Sequence, residues 1–258
     1  MKRSIFIVLL AFLAACTNQT QTEQQASEQE EKTVAAEEKE AGGIVKLEAE
    51  TNDNGSASVN ISETEKAEEP ERNKEVAFLF NQGTTAYNQG DFAAGVEFFE
   101  QIVQQDPENR KAYYNLGLGY SKLDRFAPSI QAFNKAIEIE PKDSLSLQSR
   151  GRVYYMMGNY QKCLEDYDRV LKLNPNNSVY WYNTGTAKGA LKLYRQAKND
   201  FDKAIELDDG YADAYFNRGL AHYYLGMMHE ACVDWRKAHS LGHYEAEKAI
   251  RSYCESPE

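Results

Sequence analysis

The chain has 258 residues, with 40 acidic against 29 basic side chains and a net charge of −11. Nothing in that balance forms a basic stripe able to attract nucleic-acid phosphates, and no glycine-rich phosphate loop is present. No serine, cysteine or carboxylate has the neighbours of a catalytic constellation, so an enzyme is not indicated and no cofactor is called for.

Lys2 and Arg3 precede an apolar run from Ile5 to Leu13. The run is too short to span a bilayer and has the layout of an export signal. It closes on Leu13-Ala14-Ala15-Cys16, which resembles the lipobox of bacterial lipoproteins. The resemblance implies a signal peptide over 1–15, cleavage before Cys16, and diacylglycerol with palmitate-type chains on the Cys16 thiol. An ordinary signal peptide with small residues before its cleavage site is the plainer alternative. Two or three acyl chains would anchor firmly, because each buried methylene contributes ~0.8 kcal/mol. In the sorting system this resembles, aspartate after the cysteine retains lipoproteins in the inner membrane. Thr17 stands there instead, which favours the outer membrane with the domain in the periplasm. The rule differs between bacterial groups, and surface exposure stays open.

Residues 16–74 read as the lipidated cysteine and an acidic, disordered tether. From Thr17 to Lys74 there is no Phe, Tyr or Trp, and 15 acidic side chains face 6 basic ones, a net of −9. Such a stretch cannot bury enough apolar surface to offset its conformational entropy. As a flexible chain it would reach roughly 40 Å. Ile44-Val45-Lys46-Leu47 and Val59-Asn60-Ile61 flank Asn52-Asp53-Asn54-Gly55, a pattern for a weak hairpin that needs a partner to persist. Without Lys2 and Arg3 the chain stands at −13 (−11 less +2); the tether holds −9, leaving −4 for the remainder.

Five runs of 34 residues then follow without insertion: 76–109, 110–143, 144–177, 178–211 and 212–245. The eighth place is always glycine (Gly83, Gly117, Gly151, Gly185, Gly219), and the twenty-fourth is always aromatic (Phe99, Phe133, Tyr167, Phe201, Trp235). The twentieth is always small, from Gly95 to Ala231. Fixed-period repetition determines architecture before any single motif does. Each unit reads as two helices; in the second unit they cover about Arg110 to Leu123 and Ala127 to Glu140. Gly117 against Ser129 and Gly185 against Ala197 form the close crossing, with Tyr113, Phe126 and Phe133 filling the space around it. Pro128 falls in the first turn of a helix, where its missing N–H is harmless. Pro107, Pro141 and Pro175 stop helices, and Gly210 is expected to do so in a left-handed conformation. One unit cannot bury both faces, so the units must stack. This pattern resembles the tetratricopeptide repeat (TPR) family, which implies an all-α solenoid of five helix-turn-helix repeats within 75–258. The first unit is the least regular, with Ala86 and Gln105 at places where the family has larger apolar side chains, and is expected to be the least stable.

After Gly242, Ala246, Ala249, Ile250 and Tyr253 recur at helical spacing, a capping helix over about 243–254. Cys163 sits at the small contact place and reads as a packing residue. For an exported chain Cys232 and Cys254 could pair, but a hairpin turning near Gly242 sets Cys232 opposite Ala249 rather than Cys254. The four histidines between His222 and His243 have no metal-ligand spacing, and no metal site is expected.

The resemblance further implies that the first helix of each unit lines a groove, through places two, five, six, nine, twelve and thirteen. Those places bring Phe80, Tyr114, Tyr182 and Phe216 beside Asn81, Asn115, Asn183 and Asn217, with Arg152 further in. An amide row can donate to and accept from an extended peptide backbone, and aromatics beside it can hold apolar side chains. Asparagine at this place is also simply common in the family. A clamp for a C-terminal carboxylate would need Lys or Arg where Phe80, Thr84, Asn115, Leu145 and Ser149 stand. The expectation is a lipid-anchored adaptor binding a protein or peptide in its groove. Alternatives are a self-associating homo-oligomeric scaffold and a non-catalytic subunit that delivers substrate to an enzyme.

Overall fold

The computed structural model describes residues 63–255. Cys16, the signal segment and the candidate hairpin lie outside the described residues. The described residues form eleven α-helices: α1 (Glu63–Asn88), α2 (Phe92–Gln105), α3 (Arg110–Lys122), α4 (Phe126–Ile139), α5 (Ser144–Met156), α6 (Tyr160–Leu173), α7 (Ser178–Ala190), α8 (Tyr194–Leu207), α9 (Ala212–Tyr224), α10 (Met228–Ser240) and α11 (Ala246–Tyr253). The first ten pair into five helical hairpins that follow the 34-residue period, and α11 packs on α10. Helix α1 begins well upstream of Val76, inside the stretch read as tether; its Glu, Lys and Ala residues are good helix formers and prolong the helix without aromatic packing.

Each hairpin closes on one local device. The residue in the fifteenth place (Gly90, Asp124, Gly158, Lys192, Gly226) has positive φ. The next N–H reaches back five residues to a helix carbonyl, as from Asp91 to Ala86 at 2.9 Å and Leu193 to Lys188 at 2.9 Å. This satisfies carbonyls left open at the end of the first helix. Glycine suits the left-handed site in three units; Asp124 and Lys192 occupy it under strain.

The eighth-place glycines are contact points, but their principal partner is the aromatic of the twenty-fourth place. A Cβ on Gly117 would stand 2.5 Å from the Phe133 ring, on Gly151 2.6 Å from Tyr167, on Gly185 2.7 Å from Phe201, on Gly219 2.6 Å from Trp235 and on Gly83 2.9 Å from Phe99. The small twentieth residue takes the neighbouring position, where Ser129 Oγ donates to the Gly117 carbonyl at 2.7 Å. The rings are buried and join Leu79, Val96, Ile102, Ala112 and Leu116 in a core that continues along the stack.

Buried ion pairs tie the two helices of a hairpin together, and two of their arginines also reach the preceding unit. Arg150 grips Asp166 with two N–H groups, at 2.9 and 2.6 Å, and reaches Asn134 of the preceding unit. Two units on, Arg218 repeats this with Asp234 and Asp202, while His222 Nδ1 lies 2.9 Å from Asp234. Burial alone would raise the Asp234 pKa, but the hydrogen bonds from His222 and Arg218 outweigh it and hold the carboxyl below its ordinary value. In the unit between, Lys188 pairs with Asp200 at 2.6 Å.

Two expectations are corrected. Gly210 is not left-handed: α8 stops at Leu207, and Asp208 Oδ1 accepts from Gly210 N at 3.0 Å, a side-chain-closed turn in place of the proline. Cys232 and Cys254 do form a disulfide, with Cα atoms 5.7 Å apart. The residues after Gly242 make a separate turn before α11 starts, and small Ala246 and Ala249 bury against the stack. Tyr253 lands on Tyr223 and Trp235, with ring centroids at 4.9 and 5.7 Å, which brings the end of α11 beside Cys232.

Candidate functional site

The first helices of successive units, α1, α3, α5, α7 and α9, form an inner row in which α3 adjoins α5 and α7 adjoins α9. The row has two different halves. In units one to three several groove places are accessible: Asn81 is exposed, and Phe80, Thr84, Tyr114, Asn115, Leu118, Gln148 and Arg152 are half-buried, while Ser121, Ser149 and Tyr155 at the same set of places are buried. Phe80 and Tyr114 lean on Phe99 and Phe133, at 5.5 and 6.1 Å, and so are partly core. The amide of Asn115 donates to the Lys111 carbonyl at 2.8 Å, and Asn81 Oδ1 accepts from Thr85 at 3.2 Å.

In units four and five the same places are sealed. Tyr182, Asn183, Phe216 and Asn217 are all buried, Asn217 at 0% exposure. Asn217 Nδ2 donates to the Tyr182 hydroxyl at 2.9 Å, and Tyr182 packs between Phe201 and Tyr211. Phe216 lies under His243 at 4.1 Å, nearly parallel. The expected row of water-facing amides therefore does not run the length of the solenoid; its second half is an internal polar contact between units. Thr184, Gly185, Thr186, Ala187 and Gly189 of α7 are buried in this half of the row.

Arg152 supplies a positive charge on the accessible half of the row. Its charge acts on Tyr87 from unit one and on Tyr114 from unit two, and Tyr114 shares a hydrogen bond with Ser149. Burial pushes the Tyr114 phenol up to about 12 against the opposing pull of Ser149 and Arg152; burial likewise raises Tyr87. Both stay neutral O–H donors beside a guanidinium at any physiological pH. Such a cluster can bind a carboxylate or a peptide carbonyl, and it offers no nucleophile, general base or electrophile for a reaction. Tyr87 was passed over in the sequence because Ala86, next to it, holds the usual aromatic place; only the twelfth-place periodicity points to it.

Among the described residues no cluster of three or more His, Cys, Asp or Glu could hold a metal ion. His222 is engaged with Asp234 and His243 with Phe216 and Asp213. No helix among the described residues is long and apolar enough to cross a membrane.

Models of the tetratricopeptide repeat match residues 77–109, 111–143, 144–177 and 182–235. Among solved structures, MamA aligns with a TM-score of 0.60 at 20% identity, covering 72% of this chain and 99% of that one. MamA from Desulfovibrio magneticus RS-1, from residue 41 to its end, gives 0.62 at 15%, over 65% and 94%. YrrB, described as a TPR protein with an unusual peptide-binding site, gives 0.60 at 22%, over 74% and 98%. No curated protein matches the chain.

Proposed function

The chain belongs to the tetratricopeptide repeat family, a non-catalytic protein–protein interaction scaffold, and from that premise we propose that it is a lipid-anchored adaptor that holds an extended protein segment along units one to three. The observation that carries this reading is the set of half-buried aromatic, apolar and basic side chains, Phe80, Tyr114, Leu118 and Arg152, that three successive units present on the inner row. The segment it suits has apolar side chains over Phe80 and Leu118 and an acidic side chain or chain carbonyl at Arg152. YrrB is a TPR protein described as binding peptide, which supports looking for a peptide here. Anchoring rests on Cys16 and its lipobox-like context, with the outer membrane suggested by Thr17. The Cys232–Cys254 disulfide supports export, since such bonds persist in oxidising compartments.

The experiment places a photo-crosslinking residue at Leu118, identifies the captured protein, and measures its affinity for variants. Arg152→Ala removes a charge-assisted contact and should weaken binding about 10- to 100-fold. Lys203→Glu, on the outer helix α8 and paired only with exposed Glu206, should change it little. If the Lys203 variant loses binding while the Arg152 variant keeps it, the partner sits on the outer helices and the groove reading fails. For the anchor, Cys16→Ser should release the protein from the membrane fraction in high salt; retention at wild-type levels would exclude lipid at Cys16.

A further inference from the structure

The two edges of the repeat stack differ in chemistry. One edge carries the loops between units, where Asp106, Glu108, Glu140, Asp143, Asp208 and Asp209 stand with Lys142, and where Arg110, at the start of α3, pairs with Glu140 and with buried Asp143. The other carries the turns inside the hairpins, which in units three to five read Met-Met-Gly-Asn-Tyr (156–160), Ala-Leu-Lys-Leu-Tyr (190–194) and Tyr-Leu-Gly-Met-Met (224–228). These turns hold six of the nine large apolar side chains that stand exposed among the described residues: Met156, Met157, Leu191, Leu193, Tyr224 and Met228, each 36–51% exposed. They contain no acidic residue and one base, Lys192; Lys162 and Arg195 stand on the first turns of the helices that follow, and the acid there is Glu230. Tyr194 and Tyr224 stack across neighbouring units at 4.5 Å, an amphipathic pair of the kind that favours a membrane–water boundary.

The backbone supplies a second, independent observation. The residue that starts the second helix of each unit is a side-chain cap in unit one, where Asp91 accepts from Ala94 N, and in unit three, where Asn159 accepts from Lys162 N. In unit two it is Arg125, and in units four and five Leu193 and Met227, and none of these three helices has a side-chain cap bond. Lys192, beside Leu193, also sits at φ 61°, where glycine is the comfortable residue. Unit two shares both departures, with Arg125 uncapped and Asp124 at φ 56°; what sets units four and five apart is that the cap place holds an apolar side chain. Departures from local preference of this kind mark functional surfaces.

We propose that the turn edge of units three to five rests on an anionic phospholipid surface, its Met, Leu and Tyr side chains entering the headgroup layer and Lys162, Lys192 and Arg195 meeting the lipid phosphates. The opposite edge keeps Asp106, Glu108, Asp208 and Asp209 outside the Arg110 pairs, and these carboxylates are repelled by such a surface, so the charge distribution favours one orientation. An exposed apolar edge with an excess of basic over acidic side chains suits an anionic lipid surface. The inference stands apart from the anchor at Cys16 and from the groove, and its test removes the first and leaves the second untouched.

The test uses the chain from residue 16 onward carrying Cys16→Ser, with the disulfide intact, sedimented with vesicles of phosphatidylglycerol and phosphatidylethanolamine or of phosphatidylcholine alone. The protein should bind the anionic vesicles and lose most of that binding in high salt. The double variant Leu193→Asp with Met227→Asp installs the missing caps, so it should melt no lower than the parent while its vesicle partitioning falls at least about tenfold. Val233→Glu, which charges an exposed apolar position on α10 away from the edge, should partition like the parent. Absence of binding to the anionic vesicles, or equal binding by the parent and the double variant, overturns the proposal. So does a dimer that forms without lipid and is abolished by the double variant, because a second copy would then cover the edge.

Discussion

Replacing each eighth-place glycine by alanine tests the packing that holds the hairpins together. At Gly117 the new methyl would lie 2.5 Å from Phe133 Cε1 and 2.7 Å from both Cδ1 and Cζ. Normal contact is near 3.5–4.0 Å, and Phe133 is 0% exposed with no solvent side to retreat to. The helices must separate, at a cost of about 1–3 kcal/mol. Gly83 should be the mildest of the five, because the Phe99 ring stands at 2.9–3.2 Å and requires the smallest displacement. Gly210→Ala is the opposite control. Its φ is not positive, and a methyl would meet only Asp208 Oδ1 at 3.3 Å, so reduced freedom of the unfolded chain should stabilise by about 0.4–1 kcal/mol. The assay is urea denaturation followed by circular dichroism, with hydrogen exchange to locate the loosened units. Coupling runs between neighbours in a repeat stack, so Gly117→Ala should loosen units one to three before unit five. A Gly117→Ala midpoint at or above that of Gly210→Ala would refute the crossing geometry.

Three further outcomes follow from the same structure. Burial lowers His243 from 6.5 to about 4, the largest effect on it although Asp213 stands 3.4 Å away. Between those pH values the unfolded chain binds the extra proton, so stability is lost as pH falls from 6.5 toward 4, by up to roughly 3 kcal/mol. His243→Phe, which keeps the stack on Phe216, should flatten that part of the pH–stability curve, and an unchanged slope would contradict the assignment. The Cys232–Cys254 bond spans a separation of 22 residues, and its loss should cost about 3 kcal/mol on the chain-entropy account. Reductant should therefore lower the melting temperature of the parent and leave Cys254→Ser unchanged, with exchange rising first in α11. Asn217→Ala should destabilise by about 1–3 kcal/mol, since it strips a partner from the enclosed Tyr182 hydroxyl; a neutral result would mean that the position faces water after all.

What could be read from the sequence was whatever the 34-residue period imposes on every unit. Helix pairing, the eighth-place glycines, Pro128 in a first turn and the terminal helix all follow from local spacing. What escaped depended on how units sit on one another. Whether a fifth- or sixth-place side chain faces water is decided by how successive units pack, and in units four and five that packing encloses Asn183 and Asn217. The Cys232–Cys254 bond escaped because the length of the turn after Gly242 sets which residue of α11 reaches α10. Gly210 was misread for a different reason: Asp208 closes the turn with its own side chain, a local alternative to the left-handed glycine.

Helix α5 connects the two surfaces, because Arg152 on the inner row and Met156 at the turn edge are one helical turn apart, a rise of about 6 Å. That is inside the ~10 Å screening length of 0.1 M salt. If the edge rests on anionic headgroups, their field reaches Arg152 and competes with a carboxylate of the bound segment for the same positive charge. Docking and the capture of an acidic segment would then oppose each other, and by linkage the opposition must be equal in both directions. A segment held by its apolar side chains alone would be indifferent to the membrane. The sign of the coupling between vesicle binding and partner binding therefore reports which part of the groove carries the affinity.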